Sequence, residues 1–144
     1  MKKIMVINGP NLNFLGLREK EIYGSFTYED LCQYIKNYED FKDINFVFLQ
    51  SNIEGELVNF IQNAYQDKFD AIVINPGAYT HTSVAIFDAI KAVNIPTIEV
   101  HISNIHQRED FRKKCLITGA CIGQICGLGK FSYILAIEYL IKNI

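Results

Sequence analysis

The chain has 144 residues, 49% hydrophobic and 21% charged, which is apolar enough for a single domain with its own core and too apolar for a disordered segment. Its 14 Lys and Arg against 16 Asp and Glu leave a formal charge of −2, excluding the clustered basic surface of a nucleic-acid or anionic-membrane binder. Cys32, Cys115, Cys121 and Cys126 form no Cys-x-x-Cys pair, and His81, His101 and His106 show no zinc-type spacing, so the expectation is reduced thiols in the cytoplasm, with no metal and no disulfide framework.

Ile4–Ile7 is a short apolar run stopped by Asn8-Gly-Pro, which reads as a buried strand and is too short for a signal-peptide core or a membrane span. Thr27 with Asp30 three residues on is a helix start, and Tyr28, Leu31, Ile35 and Tyr38 follow at helical spacing. Phe46–Leu49 reads as a second strand, and Ile53, Leu57, Ile61 and Ala64 as the stripe of a second helix. Ala71–Ile74 is a third strand, Ser83–Val93 a helix, and Thr97–Val100 a fourth strand that begins after Pro96. Arg108–Lys114 reads as a short polar helix, Ala120–Cys126 as a Gly-containing fifth strand, and Phe131–Lys142 as a last helix. Strands alternating with helices predict an α/β domain over residues 1–144. Its architecture is a flavodoxin-like three-layer sandwich whose five-stranded parallel sheet has the order 2-1-3-4-5. The two helices 83–93 and 131–142 are apolar on most faces, and a sheet covers one side only, so a homo-oligomer is expected.

Ligands of such sheets sit beyond the carboxyl ends of the strands, which nominates Asn8–Gly24, Asn75–Ser83 and His101–Arg112. In the first, Gly16 and Gly24 bracket Arg18 and Tyr23. This is either a mobile lid with an arginine aimed at an anion or a solvated surface loop. No GxGxxG follows the first strand, and Gly129-Lys130 lacks the rest of a Walker loop. The second segment precedes a helix N-terminus, where Asn75 and His81 can reach substrate hydroxyls, or where Thr80 or Thr82 simply caps the helix. In the third, Glu99 and His101 share one side of a strand, so the carboxylate can orient the imidazole as a proton shuttle. The N–H groups of Ile102 and Ser103 could hold a carboxylate, and Arg108 and Arg112 add positive charge.

Asn8-Gly-Pro-Asn-Leu-Asn, with Leu15-Gly-Leu-Arg-Glu and Ile22-Tyr-Gly, resembles the opening signature of the type II 3-dehydroquinate dehydratases. Ile74-Asn-Pro-Gly-Ala-Tyr-Thr-His-Thr-Ser and Glu99-Val-His-Ile-Ser-Asn-Ile-His-Gln-Arg-Glu resemble the family's second and third motifs, and Gly123-Gln-Ile-Cys-Gly-Leu-Gly its closing segment. Departures are Lys20, where the family often has Pro, and Lys114-Cys115, which replaces a common His-Ser pair. The resemblance implies elimination of water from 3-dehydroquinate to give 3-dehydroshikimate, the third step of the shikimate pathway. It proceeds anti, through an enolate, with no Schiff base, metal or cofactor. It further implies Tyr23 as the base at C2, His101 as the acid at the C1 hydroxyl, Arg18 as the lid arginine and Asn11 as an enolate stabiliser. Asn75, His81, Arg112, Ile102 and Ser103 match the substrate pocket, and Asp88 a residue that reaches a neighbour's site in a homododecamer of four trimers. An unpaired tyrosine ionises near ~10, so the base role asks for a positive neighbour such as Arg18. A receiver domain would need acidic residues where Asn8 and Asn75 stand, and a flavin carrier a Ser/Thr-rich first loop. A catalytically dead interaction module would not keep Arg18, Tyr23 and His101.

Overall fold

In a computed structural model, which describes residues 1–144, the strands are β1 (Lys2–Asn8), β2 (Ile44–Gln50), β3 (Ala71–Asn75), β4 (Thr97–His101) and β5 (Gly123–Cys126). The helices are α1 (Lys20–Tyr23), α2 (Tyr28–Lys36), α3 (Glu54–Gln66), α4 (Val84–Val93) and α5 (Phe131–Asn143). All strand pairs are parallel and the sheet order is β2-β1-β3-β4-β5, the flavodoxin-like order expected.

Side chains alternate across each strand and helices cover both faces, which is why the strands read as unbroken apolar runs. Ile4 and Val6 of β1, Val73 of β3 and Val100 of β4 pack with residues of α2 and α5. Met5, Ile7, Ile72 and Ile74 pack on the other face with Leu57 and Ile61 of α3 and Ile86 and Ile90 of α4. Truncating any of these fully buried isoleucines to alanine would cost about 2–5 kcal/mol. Thr27 and Asp30 close a reciprocal capping box at the start of α2, and Ser83 Oγ accepts the Ile86 N–H at the start of α4.

The order reverses at β1, and there the loops after β1 and β3 meet backbone to backbone. The Gly9 N–H donates to the Asn75 carbonyl at 2.7 Å. A Cβ on Gly9 would sit 2.5 Å from the Pro76 carbonyl oxygen, so only glycine lets the two loops close at this switch point.

Three segments differ from the sequence reading. Arg108–Lys114 is not a helix: two 3-10 turns, Ile105–Gln107 and Asp110–Arg112, flank an extended Arg108 and Glu109. Phe111, the one large apolar residue there, is 68% exposed, so no buried stripe holds a helix together, and Arg108 and Arg112 are not stacked one helical turn apart. The fifth strand begins at Gly123 rather than Ala120, because Ile117–Ala120 forms a 3-10 turn that brings Thr118 against Glu99. The segment between Gly16 and Gly24, read as a loop, contains α1, and both glycines take left-handed φ values, 85° and 88°. No helix is long and apolar enough to cross a membrane.

Candidate active site

A cavity of about 90 Å³ opens beyond the carboxyl ends of β1, β3 and β4. Asn11, Arg18, Tyr23, Asn75, His81, His101, Ile102, Ser103 and Arg112 line it, so the three nominated segments converge on one space. A larger open groove, about 710 Å³, lies beside it over Gly127–Phe131 and shares Tyr23 and Arg108. It holds neither His101 nor Asn11, so the smaller cavity is where the titratable and amide groups meet.

Tyr23 ends α1, and its hydroxyl oxygen accepts from two guanidiniums: Arg108 Nη1 at 2.7 Å and Arg18 Nη2 at 3.2 Å. Arg18 also lies over the Tyr23 ring, 4.3 Å from its centroid. Glu19, half exposed, approaches Arg18 at 3.5 Å and Arg108 at 3.8 Å, an ion pair screened by solvent and worth little. Sequence reasoning gave Arg108 only a general positive charge. Its partner lies 85 positions away, and nothing local announces the pairing.

His101 is the last residue of β4 and Glu99 lies two residues earlier, on the same side of the strand. His101 Nε2 and Glu99 Oε2 are 2.5 Å apart, both buried. Glu99 Oε2 also accepts from Thr80 Oγ1 at 2.7 Å and Gln124 Nε2 at 3.1 Å, and Oε1 accepts from Thr118 Oγ1 at 2.7 Å. Burial alone pushes this carboxyl up, but the bond and charge of His101 and the hydroxyls of Thr80 and Thr118 outweigh it and hold it below its ordinary value. An ionised Glu99 with both oxygens engaged fixes the imidazole plane and leaves Nδ1 as its remaining nitrogen. Thr80, which the sequence offers only as a helix cap, instead donates to Glu99, and Thr118 and Gln124 carry no sequence signal for this role. Gln124 stands in register with Glu99 across the β4–β5 pair, a pairing visible only once the strands are aligned.

His81 Nδ1 lies 2.7 Å from the Lys114 carbonyl. A carbonyl can only accept, so Nδ1 carries the proton and Nε2 is the acceptor left for the cavity. Asn75 is all but buried: its Nδ2 donates to Tyr133 Oη at 2.8 Å and its Oδ1 accepts the Gly77 N–H at 3.2 Å. Asn11 sits in the left-handed region at φ 70°, and its N–H donates to Asn52 Oδ1. Arg112 Nε donates to Glu109 Oε2 at 2.9 Å. With Arg18 and Arg108 it gives the cavity three guanidiniums, a setting for an anion. Asp88 lies on the exposed face of α4 and does not reach this cavity within its own chain.

Glu99, His101 and Cys115 place donor atoms within 4.8 Å of one another. They could hold a thiophilic cation only if Glu99 gave up hydrogen bonds that now fill both its oxygens.

The model of the family described as dehydroquinase class II matches residues 2–141. The chain is 71% identical over 142 residues to the 3-dehydroquinate dehydratase of Fusobacterium nucleatum subsp. nucleatum, covering 97% of each chain. It is 63% identical over 141 residues to that of Clostridium acetobutylicum, covering 98% of this chain and 96% of the relative. The crystal structure of type II dehydroquinase from Butyrivibrio crossotus superposes with a TM-score of 0.95 at 53% identity, covering 97% of each chain.

Proposed function

This chain belongs to the class II dehydroquinase family and is a type II 3-dehydroquinate dehydratase, and we propose that it removes water from 3-dehydroquinate by anti elimination through an enolate, giving 3-dehydroshikimate in the shikimate pathway. Tyr23 takes the proton from C2. The C–H electron pair moves onto the ketone oxygen, as an enolate that Asn11 stabilises. It then returns to form the C1–C2 double bond while the C1 hydroxyl leaves as water, carrying a proton from His101. Solvent returns a proton to His101 and removes one from Tyr23 to close the cycle. Asn75 and His81 take substrate hydroxyls, and Arg112 with the N–H groups of Ile102 and Ser103 takes the carboxylate.

The observation that carries this reading is the pair of groups on one cavity. A tyrosine oxygen held by two guanidiniums comes from the lid, and a buried Glu–His pair comes from the sheet. Donors of positive charge at 2.7 and 3.2 Å favour negative charge on Tyr23 Oη. The bond from Glu99 to Nε2 fixes the imidazole, so that His101 can give a proton from Nδ1 while Nε2 stays bonded to the carboxylate. Base and acid on separate elements suit an elimination whose leaving groups depart from opposite faces.

The exposed Val84 and Asp88 on α4 support the further reading that neighbouring chains cover this helix in a homododecamer of four trimers, Asp88 entering a neighbour's site. The test of the chemistry is the absorbance of the conjugated enone when purified protein meets 3-dehydroquinate. Turnover is expected to survive borohydride, and Tyr23→Phe to bind substrate without turning it over. A near-normal rate in that variant would overturn the base assignment.

A further inference from the structure

Tyr133 lies in α5, fully buried beneath the cavity, and takes no part in the chemistry above. Its hydroxyl is nevertheless the node joining two strand ends. It donates to Asn8 Oδ1 at 2.6 Å, at the end of β1, and accepts from Asn75 Nδ2 at 2.8 Å, at the end of β3. Burial pushes the Tyr133 hydroxyl well above its ordinary value, so it keeps its single proton at any working pH and that proton is committed to Asn8.

This commitment and the Gly77 N–H agree on which way round the Asn75 carboxamide sits, and together they clamp it at both ends. The Tyr133 oxygen, its proton spent, needs a donor on its Asn75 side, and the Gly77 N–H needs an acceptor. Only Nδ2 toward Tyr133 with Oδ1 toward Gly77 satisfies both. The reversed carboxamide would set oxygen against oxygen and N–H against N–H. The second N–H of Asn75 is then the polar group that it offers to the cavity it lines.

We propose that Tyr133 is a positioning residue for substrate binding: it holds the Asn75 carboxamide with an N–H, not an oxygen, toward a hydroxyl of the substrate. The inference rests on Asn75 being a substrate ligand, as read above. Tyr133→Phe keeps the ring and removes the node, leaving the carboxamide held from one side only, by the Gly77 N–H, and able to twist away from the substrate. The expected result is a rise in KM of about tenfold, the worth of one well-placed hydrogen bond, with kcat within about twofold.

The test is a double-mutant cycle on steady-state KM with Tyr133→Phe, Asn75→Ala and the pair together. If Tyr133 acts through Asn75, both single variants raise KM and the double variant is no worse than Asn75→Ala. Multiplying effects in the double variant, or an unchanged KM in Tyr133→Phe beside a raised one in Asn75→Ala, overturns the inference and leaves Asn75 as a ligand. An unchanged KM in Asn75→Ala removes Asn75 from the pocket and the inference with it. Should Tyr133→Phe not fold, Asn8→Ala attacks the node from the other side. The freed Tyr133 proton finds no acceptor in the Asn75 Nδ2 it faces and the bond that steadies the carboxamide is lost, so KM rises in the same way, and a parental KM in that variant overturns the inference.

Discussion

Glu99→Gln isolates the charge behind the acid while keeping the shape of its pocket. The glutamine oxygen can take the place of Oε2 and go on accepting from Thr80 and Gln124. Its NH2 then faces Thr118, whose hydroxyl can turn to accept. What disappears is the negative charge 2.5 Å from His101 Nε2. A hydrogen bond to a charged partner is worth about 1.5–3 kcal/mol against about 1 kcal/mol for a neutral one. The Glu99–His101 bond therefore loses about 0.5–2 kcal/mol, and kcat should fall about 2- to 30-fold. Stability should respond with its own sign. Glu99 is held below its ordinary value of 4.5, so its contribution is present above that pH and is lost as pH falls through the lowered value. The glutamine variant has no such acid-side loss. Kinetics on the enone absorbance across pH, with urea unfolding at matched pH, read both effects. A variant with parental kcat would refute the claim that Glu99 works through its charge.

Two further outcomes follow from the same geometry. Arg108 is 0.5 Å closer to Tyr23 Oη than Arg18 is, 2.7 against 3.2 Å, so Arg108→Ala should cost more kcat than Arg18→Ala. Losing one such donor is worth about 10²-fold or more, with KM changing less in both variants; the reverse ranking, or a change in KM alone, would mean that the pair binds substrate instead of serving the base. Burial, with Glu99 adding to it, pushes the Cys121 thiol from 9.0 up to about 12, and burial also raises Cys32 and Cys126. A group raised in the folded state contributes stability that is full below its unfolded value and is lost as pH climbs toward the folded one. Urea midpoints should therefore fall from about pH 8 to about pH 10, and equal midpoints would contradict the burial of these thiols.

What was legible in the sequence is what depends on near neighbours. The strands at Ile4, Ala71 and Thr97 and the Thr27–Asp30 box are set by alternation and by side chains within three residues of the backbone they bind, whereas the cap of α4 is Ser83 and not Thr80 or Thr82. The Glu99–His101 pair was legible for the same reason, since period two places both on one side of a strand. Illegible were the partners that the chain brings back from afar, such as Tyr133 to Asn8 across 125 positions and Arg108 to Tyr23 across 85. The 108–114 segment misled because its polar residues satisfy helix propensity, while their side chains are committed elsewhere: Arg108 to Tyr23, Arg112 to Glu109.

The two halves of the proton machinery also differ in how they are mounted. His101 and Glu99 belong to a strand paired on both sides, with Glu99 fully buried and held by three further side chains, so their geometry changes only if the sheet does. Tyr23 rides on a four-residue helix between two left-handed glycines, with no buried residue of its own. The element is held mainly through what Tyr23 reaches, the core beneath it and the Arg108 guanidinium. Arg18 sits on that same segment and travels with Tyr23, whereas Arg108 follows β4 and stays with the body. The shorter of the two bonds to Tyr23 Oη therefore joins that segment to the body, while the longer stays within it. The base proposed above is complete, with both guanidiniums on its oxygen, only in this docked arrangement, so that what positions the segment also sets the charge around the tyrosine.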